Sequence, residues 1–350
     1  MRFTSCILLL QALLLANTAQ AQSNNSTNNG TNALTQCQQS IVQQLTNIFE
    51  NSVKYFPWDY CENIGDGRGY TCGIVGFTTG THDALQVISA YAAQLNSSTP
   101  NPFGPYMSRL IQLNQSTIDG STSGLDGFCN VWSTTARSDQ LFRTVQVDMV
   151  NQLYYNPAMA YAARNGLQFE LSKGQMYDAA IQHGTALSEA DSLPSMIDRT
   201  TASFKSGPNS VPGGLSEVDW LTAFMNVRIE TLQNPAYKPS QAGWSQSIYR
   251  VKSYQYALSQ GSVHFNDSLT ALDNDGNTVS IGCDLTLWNY VGPPLPIQTP
   301  KKGILIGVLI GVGVLVLLIV TFCIIKRRLV AEWVSELSYR SKRAISRMSR

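Results

Sequence analysis

Residues 303–325 contain no charged side chain, and this run decides how the rest of the chain can be organised. As a helix it would measure about 34 Å, enough to cross the hydrocarbon core of a bilayer. Lys326-Arg327-Arg328 follow at once, and residues 326–350 hold eight Lys or Arg against only Glu332 and Glu336. Lys301 and Lys302 on the other side are fewer. The asymmetry places the tail in the cytoplasm and the large segment outside. The start of the chain agrees. Arg2 is followed by an apolar stretch over residues 6–16, broken only by Gln11, and then by Ala19-Gln20-Ala21. That is a secretory signal with a small-residue cleavage site, so the mature chain is expected to begin near Gln22.

The expected organisation is a signal peptide (1–21), an Asn/Ser/Thr-rich disordered leader (22–36), a folded ectodomain (37–290), a Pro-rich stalk (291–302), a membrane helix (303–325) and a basic cytoplasmic tail (326–350). The molecule would then be a type I, single-pass protein of the cell surface or plasma membrane. Gly303, Gly307 and Gly311 recur at helical spacing and offer a face for a homodimer, although glycine is common in membrane helices. In the tail, Leu329, Trp333, Leu337 and Ile345 alternate with basic residues; it either lies on an anionic leaflet or stays solvated.

The formal net charge of +1 hides an uneven distribution, because residues 22–300 carry 13 Lys or Arg against 21 Asp or Glu, a net −8. An acidic cleft in this region would attract a cationic ligand. Cys37, Cys61, Cys72, Cys129 and Cys283 allow two disulfides with one thiol left over, of unreadable connectivity. Cys61 and Cys72 bracket Asp66 and either clamp that loop or pair elsewhere. Asn24, Asn25, Asn29, Asn96, Asn114 and Asn266 each begin an N-x-Ser/Thr sequon. There is no CxxC pair, and His82, His183 and His264 are scattered, so no metal or cofactor is expected.

Most of the ectodomain has helical periodicity. Ile41, Val42, Leu45, Ile48 and Phe49 make one apolar face, with Glu50 at its end. Thr81 is placed to cap a helix with Asp83 in its first turn, and Ser216 with Asp219 resembles a capping box. Residues 70–77 are the best strand candidate. Asp273-Asn274-Asp275-Gly276-Asn277 lacks the distal Glu of a calcium loop and reads as a polar turn. There is no repeat and no βαβ alternation. The expected class is α+β, mainly α.

The sharpest chemical signal is Ile64-Gly65-Asp66-Gly67-Arg68-Gly69-Tyr70-Thr71, a glycine-punctuated turn holding a second carboxylate apart from Glu50. Glycoside hydrolysis needs such a pair: one acid to protonate the leaving oxygen, one base to activate water. Glu50, at a helix end among apolar residues, is expected to be buried and held in its protonated form, and Asp66, near Arg68, to stay ionised. Taken alone, Glu50 also reads as a solvated helix-end carboxylate and Asp66 as a turn-forming aspartate.

The motifs around them favour the catalytic reading. Glu50-Asn51-Ser52 and Ile64 to Thr71 are followed by Gly73-Ile74-Val75-Gly76-Phe77 and Gly80-Thr81-His82-Asp83. Then come Tyr154-Tyr155-Asn156-Pro157-Ala158, Asn165-Gly166-Leu167, Tyr177-Asp178-Ala179-Ala180-Ile181, His183-Gly184, Gly213-Gly214 and Phe224 through Arg228. In this order, over about residues 38–285, the chain resembles the family 46 glycoside hydrolases, the chitosanases. The resemblance implies a lysozyme-like fold of two lobes around a central cleft. It implies endo-hydrolysis, with inversion, of β-1,4 linkages in chitosan or partly deacetylated chitin. Glu50 would be the general acid, Asp66 the general base, and Thr71 would place the attacking water. Arg68 and Asp83 would bind substrate, Asp83 meeting a glucosamine amine. Asp178, Arg228 and Arg250 would form a buried ion network behind the cleft. The implied partners are the polysaccharide and a membrane, with no nucleic acid. The segment between Glu50 and Asp66 is slightly shorter than in bacterial members, Phe56-Pro57-Trp58 is less polar, and residues 188–212 look inserted. A competing reading is a surface polysaccharide-binding or sensor protein that kept the fold and lost the chemistry; the trio Glu50, Asp66 and Thr71 favours the enzyme.

Overall fold

The computed structural model describes residues 33–115, 119–204 and 216–294. The expected signal peptide, membrane helix and basic tail, most of the leader and stalk, three of the sequons, residues 205–212 of the expected insertion and the Gly213-Gly214 pair lie outside the described residues. Among the described residues no helix is long and apolar enough to cross a membrane.

The first helix, α1 (Gln36–Asn51), starts at a capping box. Thr35 Oγ1 accepts from Gln38 N at 3.3 Å, and Gln38 Oε1 accepts from Thr35 N at 2.8 Å, satisfying two donors a helix start leaves open. It ends at Ser52, whose φ of 58° is left-handed and whose N–H closes onto the Ile48 carbonyl. Its apolar face is buried as expected, but so are Gln43, Gln44, Thr46 and Asn47. Burying such groups costs less where they are hydrogen-bonded, and segments outside the helix supply partners to three of them. Gln44 donates to the Gly282 carbonyl at 2.8 Å, Asn47 to the Lys54 carbonyl at 3.1 Å, and Trp288 Nε1 donates to Gln43 Oε1 at 2.9 Å. Thus α1 is a central helix rather than a half-exposed one.

After it come the short strands β1 (Cys61–Glu62), β2 (Thr71–Cys72) and β3 (Phe77–Thr78), antiparallel in that order. The single strand expected over 70–77 is therefore two strands of a hairpin. Gly73 and Gly76, at φ of 72° and 74°, turn the chain between them. Gly73 also has no room for a side chain, since a Cβ there would lie 2.4 Å from Gln146 Oε1 and 2.9 Å from Trp132.

The helices α2 (Asp83–Gln94), α3 (Gly104–Leu113), α4 (Phe128–Ser138) and α5 (Gln140–Val150) follow. A π-helical turn (Asn151–Tyr155) then leads straight into α6 (Asn156–Arg164). The chain continues as α7 (Glu170–His183), α8 (Leu193–Ser203), α9 (Glu217–Gln233), α10 (Gln241–Gln246) and α11 (Tyr249–Ser259). It closes with the hairpin β4 (Ser268–Leu272) and β5 (Thr278–Gly282), whose turn is the Asp273–Asn277 segment. There the Asp273 carboxylate accepts backbone N–H bonds from Asp275 and Asn277 at 2.9 and 2.8 Å. The fold is α+β and mainly helical. Ser216 caps α9, accepting from Asp219 N at 3.2 Å. Thr81 does not cap α2: His82 occupies the cap at φ 79°, and the Thr81 hydroxyl donates to Asp83 Oδ1 at 3.0 Å instead.

The elements pack in two groups. Helices α2, α3, α4 and α5 pack with one another and with the β1–β3 sheet. Their core is an aromatic cluster of Tyr91, Phe103, Phe128, Trp132 and Phe142, with Trp132 and Phe142 edge to face at 4.9 Å. Helices α1 and α6 through α11 pack with the β4–β5 hairpin, centred on α7. Gly174 in α7 lets α1 and α11 approach, for a Cβ there would stand 3.1 Å from Val42 and 3.3 Å from Tyr254. The continuous run from α5 through the π-turn to α6 joins the two groups.

Candidate active site

Glu50 lies in the last turn of α1, in the second group; Asp66 lies in the β1–β2 loop of the first. The loop needs its glycines: Gly65, Gly67 and Gly69 have φ of 75°, 81° and 81°, values that cost side-chain-bearing residues strain. Gly80 supports it from below, donating to the Arg68 carbonyl at 2.9 Å.

Glu50 corrects one expectation. Its side chain is 29 % exposed, and its Oε1 pairs with Nη1 of Arg250. The apolar burial on which protonation was expected is absent, because α1 ends at the surface and a guanidinium reaches it from α11. Arg250 donates at 2.7 Å through Nη2 and at 3.2 Å through Nε to the two oxygens of Asp178. Arg228 Nη2 donates to Asp178 Oδ2 at 2.7 Å and to Gln182 at 2.6 Å. Thr46 of α1 adds a bond to Asp178 at 3.3 Å. The structure therefore brings Asp178, Arg228 and Arg250 into one row with Glu50 at its open end.

The row alternates in sign, which is what makes its burial tolerable. Burial pushes the Asp178 carboxyl up, but the Arg250 and Arg228 guanidiniums more than reverse this and hold it down at about 2. Burial lowers Arg250, and Asp178 and Glu50 together raise it above the usual arginine range. His183 accepts from Arg228 Nε at 3.4 Å; burial and then the neighbouring arginines push it well below the usual histidine range, so it is neutral.

Asp66 is paired on its own loop. Its Oδ1 accepts from Arg68 N at 3.0 Å, and its Oδ2 from Arg68 Nε and Nη2, both at 2.7 Å. Arg68 thus orients Asp66, and its guanidinium is half-exposed. Thr71, on β2, is buried, and its Oγ1 has no hydrogen-bond partner among the described residues. Asp83 is tied to the adjoining strand by Thr78 N, from which its Oδ1 accepts at 2.7 Å, and it also accepts from Ala84 N of its own helix at 3.1 Å. Burial raises its pKa and those bonds work against the rise.

Tyr154 is not among the site residues expected from the sequence, yet charges from both packing groups act on it. Burial and then the charges of Asp83 and Glu50 push its hydroxyl up to about 12, while Arg68 pulls it the other way. It stands in the π-helical turn, between α5 of one packing group and α6 of the other. A π-turn offsets the helix register by one residue and is often found at functional sites; the sequence carries no periodicity signal for it. Tyr60, raised by burial, Glu62 and Asp66, marks the Asp66 side in the same way.

Two carboxylates thus stand on separate packing groups, each oriented by its own arginine; a paired-carboxylate glycoside hydrolase is the class to which such an arrangement is suited. The model of glycosyl hydrolase family 46 matches residues 44–269, and the chain belongs to that family. A chitosanase of Bacillus subtilis (strain 168) is 36 % identical over 243 residues, which is 69 % of this chain and 84 % of that protein. One from Streptomyces sp. (strain N174) is 34 % identical over 191 residues, 54 % of this chain and 64 % of that one. Among solved structures, the Gynuella sunshinyii GH46 chitosanase in complex with chitotetraose has a TM-score of 0.63 at 36 % identity, covering 71 % of this chain and 98 % of that one. A mutant chitosanase from Bacillus subtilis MY002 complexed with 6 GlcN has a TM-score of 0.63 at 33 % identity, covering 71 % and 100 %.

Proposed function

We propose that this glycoside hydrolase is an endo-acting chitosanase that cleaves β-1,4 links between glucosamine residues with inversion. The observation that carries the reading is the placement of Glu50 and Asp66 on separate packing groups, each fixed by an arginine. Glu50 is the acid. Arg250 gives it one nitrogen and keeps the other two for Asp178, so Glu50 is oriented through Oε1 while Oε2 is the oxygen to carry the transferable proton. Asp66 is the base, and Thr71 supplies the hydroxyl that places the attacking water. Such proton transfers contribute typically 10²–10⁴-fold in rate. Asp83 and the net acidity of the ectodomain suit a substrate whose amines are protonated. The relatives' own substrates, chitosan and glucosamine oligomers, support this choice.

Glu50→Gln in the full-length protein tests the assignment. Reducing-end release from chitosan should fall by about 10²-fold or more, while calorimetric binding of a glucosamine hexamer stays within a few-fold. A loss of only a few-fold in rate would move the acid role to another residue.

We also propose that the enzyme acts from the cell surface as a type I protein, its catalytic region outside. This rests on the signal sequence, the uncharged run 303–325 and the basic tail.

A further inference from the structure

The match to family 46 ends at residue 269, but the chain stays on the ectodomain well beyond it. After β5 the Cys37–Cys283 bond fastens it to the first turn of α1. Ser40 of the same helix then donates to the Asp284 carbonyl at 2.9 Å and accepts from the Asp284 N–H at 3.0 Å. Leu287 is buried in the core, and Trp288 Nε1 donates to Gln43 Oε1 at 2.9 Å. Up to Trp288 the segment is therefore held by α1, in the second packing group.

From Asn289 onward the partners come from the first group. Gln140, at the start of α5, donates to Asn289 Oδ1 at 2.8 Å. Arg137 of α4 donates to the Gly292 carbonyl at 3.3 Å. Trp58 Nε1 donates to the Tyr290 carbonyl at 2.8 Å. The Trp58 carbonyl in turn accepts from Trp132 Nε1 of α4 at 3.0 Å, so Trp58 is fixed to that group. Tyr55 donates to the Pro293 carbonyl at 3.0 Å, and its ring meets Tyr290 edge to face at 5.9 Å. Gly292 is buried against Tyr55, where a Cβ would lie 2.4 Å from the ring. Residues 283–293 thus cross from one packing group to the other. Among the described residues the chain crosses at two other places, the linker from α1 to β1 and the run from α5 to α6. The strap lies along the first of these, since Tyr55 and Trp58 belong to that linker.

We propose that residues 283–293 are a clasp that holds the two packing groups at the spacing the substrate needs, which rests on the reading that Glu50 and Asp66 act together across those groups. Packed units joined by few crossings move against one another by default. The clasp opposes that motion with bonds to α1 at one end and to α4 and α5 at the other. Its ties at Tyr290, Gly292 and Pro293 are made by backbone carbonyls, so the course of the strap makes them rather than its side chains. A protein whose binding-competent arrangement is only fractionally populated binds more weakly by that fraction. Releasing the clasp therefore raises KM. It leaves kcat unchanged, because bound substrate spans both groups and restores the arrangement.

The test uses two variants of the full-length protein. Gly292→Val puts a side chain where the Tyr55 ring stands. The second variant replaces residues 286–293 with a Gly/Ser run of equal length and keeps Cys283. Hydrogen exchange of residues 52–60 and 284–293 reports whether the strap is released, and steady-state kinetics on a glucosamine hexamer report the consequence. Both segments should exchange faster, KM should rise by about fivefold or more, and kcat should stay within a factor of about two. Should the Gly/Ser chain fail to fold, Gly292→Val decides. A strap that exchanges freely while KM keeps its wild-type value would overturn the proposal. So would a fall in kcat at constant KM, which would mean that the strap shapes the site rather than the spacing. A wild type that binds the hexamer without cleaving it would sink the chitosanase reading alone. The clasp would then be decided by calorimetry, where the variants must lose hexamer affinity by the same factor.

Discussion

Arg250 has three contacting nitrogens and two carboxylates to divide them between, and the division accounts for much of the site. The two-point contact goes to buried Asp178 and the single one to half-exposed Glu50. Asp178 thereby fixes the guanidinium, and the guanidinium fixes Glu50. The same row sets how the protein responds to acid. His183 is held neutral well below its ordinary 6.5, so unfolding lets it take up a proton that folding denies it. Its contribution is present above pH 6.5 and is lost as pH falls toward its folded value, at about 1.4 kcal/mol per pH unit. Asp178, held at about 2 against an ordinary 3.8, contributes above pH 3.8 and loses that as pH falls through about 2. The His183 window opens first as pH falls, at 6.5, and the Asp178 window only at 3.8. Urea midpoints of wild type should therefore begin to decline below pH 6.5, and His183→Gln should flatten that limb. An unchanged slope in the variant would assign the limb to another group.

The β1–β2 loop and α1 show what an element adds to its residues. Gly67 and Gly69 share a φ of 81°, but only Gly69 is crowded: a Cβ would lie 2.3 Å from Thr79 Oγ1, the atom that accepts from Tyr70 N at 3.0 Å. Gly67→Ala should cost only the strain of a left-handed alanine, about 1–2 kcal/mol. Gly69→Ala should cost that and the Tyr70–Thr79 bond, so its kcat on chitosan and its urea midpoint should both fall further. Equal losses would mean that the loop does not depend on this contact. The glycine turn was legible in the sequence because positive φ needs glycine, and so were the paired carboxylates. The environment of Glu50 was not. Arg250 is 200 residues from Glu50 in sequence, and no local pattern reports such a pairing. The burial of α1 over residues 40–49 was hidden for a similar reason: the partners of Gln43, Gln44 and Asn47, which are Trp288 and the Gly282 and Lys54 carbonyls, come from outside the helix. The β-rich run 70–77 reads as one strand, but Gly73 and Gly76 turn it into a hairpin.

At the scale of the whole molecule, the family match over residues 44–269 and the described structure both end before the uncharged run. The Cys37–Cys283 bond encloses the whole of the family region. A chain stopped after Pro300 should therefore be secreted as soluble, active enzyme, while the full chain stays with the membrane fraction and its ectodomain is cut by protease added to intact cells. A tail that is cut while the ectodomain is spared would invert the topology. The mechanism also belongs to this scale, because its stereochemistry depends on the gap between two packing groups. Glu50 comes from one and Asp66 from the other, and inversion requires a water between the bond being cleaved and the base, with the carboxyls about 6.5–9.5 Å apart or more. The most direct test is proton NMR of the first sugar released from a β-linked glucosamine oligomer by the full-length protein, read before the anomers equilibrate. The account predicts the α-anomer first; the β-anomer first would mean retention, and would contradict Asp66 as the base that activates water.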